Sequence, residues 1–172
     1  MNFIDLARKR YSCRKYSDRK ISREQINLIL EAGRIAPSAK NRQPWHTIVV
    51  DEPDLIEKMK DAARFYGAPL LFIVCTNHQE AWIREIDRKP IGDIDNAIFT
   101  THMMLQAEDM GLNSLWIGYF KPDVIAKLFP LPDNIEPVSI LAVGYGEETP
   151  QLPGRHDELR KSINKIASFN KY

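Results

Sequence analysis

The stretch from Asp93 to Gly111 constrains the fold more than any other part of this chain. An apolar stripe runs along it at helical spacing, and Phe99 and Met103 extend this stripe around much of the cylinder. The stripe comprises Ile94, Ala97, Ile98, Thr101, Met104 and Leu105. Gly111 then stands where a helix of this length would stop. Because a helix that is apolar over most of its girth must be buried on several sides, we expect a central core helix that also forms part of a subunit interface.

Short helical and strand patterns surround this helix in irregular alternation. Apolar or β-branched runs predict strands at 47–50, 69–76, 114–117 and 137–145. Two helical patterns precede the first strand, and Ser22 with Gln25 forms a capping box at the start of the second. The expected architecture is a central sheet flanked by helices, of α/β or α+β type, in one domain of residues 1–172.

Prolines and a polar segment mark the remaining boundaries. Pro53 and Pro122 each open a helix, since proline suits the first helical turn. Residues 147–154 are polar and turn-rich, and a last helix should follow them. Its apolar side chains lie on one face at Leu159, Ile163 and Ile166. Residues 77–92 show no clear periodicity, which is typical of a lid or a binding loop.

Composition excludes several classes of function. The chain has 172 residues, of which 44% are hydrophobic and 27% charged, and its net charge is +1. A general nucleic-acid binder usually carries a strongly basic domain, so that class is disfavoured. The two cysteines, Cys13 and Cys75, have neither zinc spacing nor a disulfide framework. Because the N-terminus lacks a signal-peptide pattern and the longest apolar run is too short to span a bilayer, we expect a cytoplasmic protein.

The segment from Ala36 to Trp45 has an unusual composition for a connector. Two prolines restrict its backbone, and Ser38, Asn41 and Gln43 add compact hydrogen-bonding groups. One interpretation is a simple helix exit followed by a turn. The other is a loop that binds a flat polar ligand, since functional residues concentrate on loops held by rigid elements.

A basic segment near the N-terminus allows two interpretations as well. Arg10, Ser12 and Arg14 place two guanidinium groups and a hydroxyl within five residues, which suits the grip of a phosphate. Other lysines and arginines lie nearby, and a charge run of this kind often faces water.

In this order, the two segments resemble motifs of the nitroreductase-like family of FMN-dependent NAD(P)H oxidoreductases. The first reads Arg-x-Ser-x-Arg from Arg10 to Arg14, and the second reads Pro-Ser-x-x-Asn-x-Gln-Pro-Trp from Pro37 to Trp45. The resemblance extends over nearly the whole chain. It implies an α+β, three-layer fold with a central mixed, largely antiparallel sheet, and an intertwined homodimer with FMN at its interface.

The resemblance also implies roles for particular residues. Arg10, Ser12, Arg14 and Arg155 match phosphate anchors. The loop at Pro37, Ser38, Ala39 and Asn41 matches one against the flavin ring that reaches the partner subunit's FMN. Ile117 and Gly118 match the loop beside N5, and Gly118 permits a close approach. The full implied set is Arg10, Tyr11, Ser12, Cys13, Arg14, Pro37, Ser38, Ala39, Asn41, Gln43, Arg64, Trp116, Ile117, Gly118 and Arg155.

Arg64 keeps two interpretations. It stands roughly where the family often places a cation near N1 and O2 of the flavin, where it would stabilise negative charge on the ring. The alternative is an exposed arginine near the end of a helix.

No other constellation in the sequence indicates catalysis. There is no Gly-x-Gly-x-x-Gly after a strand, and no catalytic triad, paired carboxylate or metal-ligand spacing stands out. The resemblance implies a flavoenzyme in which FMN carries the chemistry, with NADH or NADPH as donor and a nitroaromatic or quinone as acceptor, and the lack of such a constellation is consistent with it. The alternative is an FMN-binding carrier or sensor without turnover. Because the chain is short for the family, the resemblance does not define its substrate pocket.

Overall fold

The computed structural model describes residues 1–149 and 154–172. The predicted polar segment 147–154 therefore lies partly outside the described residues. The helices are α1 (Phe3–Lys9), α2 (Arg23–Arg34), α3 (Pro53–Lys58), α4 (Gly92–Asp109), α5 (Pro122–Leu128), α6 (Arg155–Glu158) and α7 (Ile163–Ile166), and a 3-10 turn spans Ala39–Asn41. None of the described helices is long and apolar enough to cross a membrane.

A four-stranded sheet forms the centre of the chain. Its strands are β1 (Trp45–Val50), β2 (Leu70–Asn77), β3 (Asn113–Ile117) and β4 (Ile135–Gly144), in the order β1-β2-β4-β3. All neighbouring strands are antiparallel. Among the described residues, one parallel bridge joins Ser12, which precedes the sheet in sequence, to Ser114 of β3. The predicted largely antiparallel sheet is confirmed.

Helices cover both faces of this sheet. Side chains alternate between the faces along each strand, and apolar side chains on both faces are buried against helices. On one face, Ile73 and Ile140 pack with Met59 after α3 and Ile125 of α5. On the other face, buried residues of β2 and β4 pack against α2 and α4, with Phe99 at the centre. The result is the three-layer α+β arrangement that the sequence predicts.

The chain ends its main helices where the sequence indicates. Ser22 accepts from the Gln25 backbone N–H, and the Gln25 side chain accepts from the Ser22 N–H, which completes the capping box. Gly111 adopts a left-handed φ of 75°, and Leu112 N–H donates to Ala107 O at 2.9 Å. This is the Schellman geometry at the end of α4.

The buried face of α4 differs from the predicted stripe. Phe99 and Met103 are buried, but Ile94 is 47% exposed. Asp95 and Asn96 are buried instead. Within one chain α4 is therefore covered mainly on one side, and part of its apolar surface remains uncovered.

The predicted last helix is wrong as a continuous element. Two single turns, α6 and α7, replace it, and the extended backbone at Ser162 interrupts the helix between them. Leu159, Ile163 and Ile166 are 66%, 72% and 69% exposed. Because this apolar face has no core to pack against in the described chain, the helical periodicity alone does not hold the segment together.

Candidate functional site

A cavity of about 460 Å³ lies between the basic N-terminal segment and α6. Its lining is rich in arginine and comprises Arg10, Tyr11, Ser12, Arg14, Glu148, Thr149, Arg155, His156, Leu159 and Arg160. The structure thus brings together the predicted phosphate anchors Arg10, Ser12, Arg14 and Arg155. We call this space the arginine cavity.

Backbone pairing fixes the N-terminal segment against the sheet. Cys13 N–H donates to Ser114 O at 3.0 Å, so the segment runs beside the start of β3. The Tyr11 hydroxyl donates to Glu148 O from the other side of the cavity. A Cβ at Gly146 would lie 2.9 Å from Cys13 Sγ, so only glycine fits between these parts. The cavity wall is therefore set by close packing as well as by hydrogen bonds.

Positive charge dominates the arginine cavity. Burial lowers the pKa of Arg10, and the neighbouring cations Arg160 and Arg155 lower it further. The Glu108 carboxylate acts in the opposite direction and raises the pKa of Arg10, and it forms an ion pair with Lys9 at 3.4 Å. Cations that crowd one another in this way favour an anionic ligand between them.

Arg155 also makes hydrogen bonds within the described structure. Its guanidinium donates to the carbonyl oxygens of Arg8 at 2.8 Å and Arg10 at 3.2 Å, at the C-terminal end of α1. His156 Nε2 lies 3.0 Å from Arg8 O. Carbonyl groups at a helix end are commonly satisfied by such cations. Arg155 therefore joins α6 to α1 across the cavity as well as lining it.

The loop from Ala36 to Trp45 has a strained backbone. Lys40, Asn41 and Gln43 have φ values of 53°, 54° and 49°. Left-handed conformations of non-glycine residues cost of order 1 kcal/mol each and concentrate at functional sites. Ser38 supports the loop from within, since its Oγ accepts from the Gln43 N–H at 2.9 Å. The structure therefore favours a specialised loop over a simple turn.

Three contacts attach this loop to the body of the chain. Ala39 N–H donates to the Asp95 carboxylate at 2.9 Å. Asn77 N–H donates to Pro44 O at 2.7 Å. The Trp45 ring stacks on Phe99 of α4 with 4.9 Å between centroids.

The end of β3 presents an open backbone. Ile117 is buried opposite Ile140 of β4, whereas Gly118 is exposed. A Cβ at Gly118 would meet no heavy atom of the chain within 4 Å. Trp116 is half-buried just before it, and Tyr119 is 97% exposed just after it. The space beside Gly118 can therefore accept another group.

The strand order separates the three predicted regions. Ser114, beside the arginine cavity, lies four residues before Gly118, which corresponds to about 13 Å along β3. The 36–45 loop precedes β1, on the opposite flank of the sheet from β3. Three strand spacings, or roughly 14 Å, separate these flanks. Within one chain, the loop and the β3 end therefore lie apart.

Arg64 lies elsewhere again. It lines a larger groove of about 900 Å³, together with residues 51–53 and 63–70, and does not line the arginine cavity. Its guanidinium carbon lies 4.7 Å from the centroid of the Tyr66 ring, a cation–π contact. Its role near a flavin stays a prediction.

Sequence reasoning missed several residues of these sites. Glu108 and Asp95 are each 1% exposed, and Arg160 and Glu148 line the arginine cavity. The signal for Asp95 and Glu108 was available, because acids in a helix that is otherwise apolar are seldom buried without a partner. The places of Glu148 and Arg160 depend on long-range folding and have no local signal.

Comparisons with known proteins fit this geometry. The model of the Nitroreductase family matches residues 7–64 and 58–145. A crystal structure of a nitroreductase family protein from Clostridium difficile 630 is 46% identical, covers 100% of both chains and has a TM-score of 0.96. An FMN-dependent nitroreductase from Clostridium difficile R20291 is 25% identical, covers 99% of this chain and 100% of that one, and has a TM-score of 0.82.

A curated relative extends the comparison to archaea. It comes from Methanothermobacter thermautotrophicus, is provisionally named an NADH dehydrogenase/NAD(P)H nitroreductase, and is 30% identical over 96% of this chain and 88% of its own length. The fold defines an α+β protein with an antiparallel sheet between two helical layers. With these matches, the chain belongs to the nitroreductase family.

Proposed function

We propose that this protein is an FMN-dependent oxidoreductase that uses NADH or NADPH as donor and a small molecule, such as a nitroaromatic or quinone, as acceptor. The arginine cavity is the main support for the proposal. Arginines from the N-terminal segment and from the C-terminal part of the chain line it together, as an anion site requires. Membership of the nitroreductase family and the FMN-dependent relative support the choice of cofactor. In this proposal, residues 1–172 form a single FMN-binding domain.

The donor groups of the arginine cavity fit a phosphate. Arg10 and Arg14 supply planar guanidinium forks, and Ser12 adds a hydroxyl at the same wall. Burial is the main cause of the lowered pKa of Arg10, and repulsion from Arg160 and Arg155, which a bound dianion would relieve, lowers that pKa further. Arg155 holds the wall in place through α1.

β3 suits the rest of the cofactor. The span of about 13 Å from Ser114 to Gly118 accommodates an extended ribityl chain, with the ring at the open Gly118 end. Exposed backbone there offers N–H groups to a flat heterocycle. The 36–45 loop lies on the far flank of the same sheet, so we propose that it contacts the FMN of a second subunit in a homodimer.

The chain binds and orients in this proposal, and no side chain serves as an acid or a base. Bound FMN supplies the hydride chemistry between nicotinamide and acceptor. Both substrates would then use one open face in turn, which gives ping-pong kinetics.

Anaerobic mixing tests the function directly. The purified protein, loaded with FMN, should lose its yellow colour on addition of NADH or NADPH and regain it with a quinone or nitroaromatic. Initial rates at several acceptor concentrations should give parallel double-reciprocal lines. A protein that binds FMN but stays yellow with both nicotinamides would be a carrier or sensor, and intersecting lines would contradict alternate use of one face.

A further inference from the structure

Asp95 is a buried acid with an unusual environment. It lies in the first turn of α4 and is 1% exposed. Its Oδ1 accepts from the Ala39 N–H at 2.9 Å, and its Oδ2 is buried without a hydrogen-bond partner among the described residues. The helix dipole stabilises a negative charge at this place. Burial of a carboxylate with a single partner nevertheless costs stability, so folding alone does not explain it.

The segment that Asp95 contacts is the strained part of the chain. Ala39 begins the 3-10 turn, and Lys40, Asn41 and Gln43 follow it with left-handed φ values. Between Ser38 and Gln43, every other described hydrogen bond of the loop is made within the loop. The Asp95 contact is therefore the polar tether that joins the centre of this loop to the helical layer.

The surroundings of Asp95 are rigid. A Cβ at Gly92, at the start of α4, would lie 2.7 Å from Thr76 Cγ2, so the helix start is packed against the end of β2. Asn96 Nδ2 donates to Thr76 Oγ1, and Thr76 Oγ1 donates to Asp93 at 3.3 Å. Asp95 thus transmits the position of a fixed helix end to a loop that would otherwise relax.

We propose that Asp95 is a positioning residue for the flavin ring: through the Ala39 N–H it holds the 36–43 loop in the left-handed conformation that meets the cofactor. The proposal rests on the proposed function for its ligand, but the tether itself is independent of any ligand. Asp95 acts on the ring-binding loop and not on the arginine cavity, so its loss should affect ring binding and spare phosphate binding.

Limited trypsin digestion without flavin tests the tether, because Lys40 and Arg42 are exposed cleavage sites inside the loop. Asp95→Ala should raise the cleavage rate at these two sites about tenfold, the effect of losing a hydrogen bond to a charged group. Asp95→Asn keeps an acceptor and should restore most of the protection. Asp109→Ala removes an exposed acid from the far end of the same helix, away from the loop, and should cleave as the wild type does.

A second variant approaches the same bond from the donor side. Ala39→Pro removes the N–H at the first position of a helical turn, which tolerates proline. It should reproduce the cleavage of Asp95→Ala, and the double variant should show no further increase. Lys127, in the last turn of the packed helix α5, serves as the internal reference site, because cleavage there requires that helix to unfold. Unchanged cleavage at Lys40 and Arg42, or an equal rise at Lys127 that indicates general unfolding, would overturn the proposal.

Riboflavin and inorganic phosphate then separate the ring from the phosphate. In Asp95→Ala the Kd for riboflavin should rise about tenfold, and the visible spectrum of the bound flavin should shift. The increase in Tm that inorganic phosphate produces should stay as in the wild type. An equal loss of both ligands, or of neither, contradicts the positioning role. A wild type that binds no flavin overturns the proposed function and the ring-positioning role, while the digestion still decides whether the tether exists.

Discussion

Arg14 reaches the arginine cavity from an exposed position. Its guanidinium donates to Ser12 O at 3.3 Å, and its backbone N–H donates to the Glu148 carboxylate. The guanidinium therefore makes few hydrogen bonds within the described chain and can bind an anion. Arg155 differs, because its guanidinium also holds the carbonyl groups at the end of α1. Substitution at Arg14 is the cleaner test of phosphate binding.

Arg14→Ala should weaken FMN binding by about 1.5–3 kcal/mol, since it removes one charge-assisted contact. Fluorescence titration of the flavin-free protein measures the change. The FMN affinity of Arg14→Lys should lie between those of the wild type and Arg14→Ala, because lysine keeps the positive charge but lacks the planar pair of donors. Arg34→Ala removes an exposed arginine that pairs with Glu31 away from the cavity, and serves as the control. Unchanged affinity in folded Arg14→Ala would exclude this residue from the site.

The two thiols should be unreactive in the folded protein. Cys13 and Cys75 are both buried, and burial raises the pKa of each, to about 12 for Cys75. A raised pKa leaves little thiolate at pH 8, so iodoacetamide should modify both far more slowly than free cysteine. Mass spectrometry measures the rate, and denatured protein is the control. Rapid labelling of Cys13, or a Cys13→Ala protein that holds FMN but is inert, would indicate thiol chemistry.

At the scale of elements, α2 and α4 pack closely at Gly33, where there is no room for a side chain. A Cβ there would lie 2.7 Å from the Phe99 ring and 2.9 Å from Met103 Cγ. Gly33→Ala should therefore destabilise the protein by about 1–3 kcal/mol, because overpacking outweighs the gain in helix propensity. Urea unfolding measures it. Gly118→Ala is the control, since it projects into open space and should change stability by less than about 0.5 kcal/mol.

Unlike Gly33, Gly118 should matter for function and not for stability. Gly118→Val places a branched side chain where no atom of the chain lies within 4 Å, so the fold should persist. If the flavin ring lies there, the variant should slow loss of yellow colour with NADH more than it weakens FMN binding. Stopped-flow absorbance and fluorescence titration give the two values. Equal rates in Gly118→Val and the wild type would place the ring elsewhere.

Sequence predicts elements well where the signal is local. Ser22 with Gln25, Pro53, Pro122 and Gly111 each act through neighbouring backbone groups, and each prediction is confirmed. The signal fails where folding brings distant residues together. The Ala39–Asp95 hydrogen bond joins residues 56 positions apart. No periodicity indicates such a contact, although the motifs predict that the anchors Arg10 and Arg155 meet.

At the scale of the whole molecule, the described chain leaves apolar surface uncovered on α1, on α4 and along the C-terminal tail, among other positions. Phe3 and Ile4 of α1 are 64% and 57% exposed, and Ile94 on α4 is 47% exposed. Along the C-terminal tail, Ile163, Ile166 and Phe169 are at least 69% exposed. Exposed apolar surface of this extent is typical of an interface between subunits. It agrees with the separation of the 36–45 loop from the β3 end within one chain.

Assembly is therefore the prediction that tests the shared site. Light scattering on the FMN-loaded protein at low micromolar concentration should give twice the chain mass of 19.9 kDa. Removal of residues 159–172 takes away the exposed apolar tail and two lining residues of the arginine cavity, Leu159 and Arg160. The truncated chain should dissociate and lose FMN. Arg160→Ala in the full-length chain is the control, because it removes the cavity contact and keeps the apolar tail. That variant should bind FMN more weakly and remain a dimer. A full-length monomer that holds FMN would contradict a site built from two subunits, since the loop that begins at Ala36 could then not reach a partner's flavin.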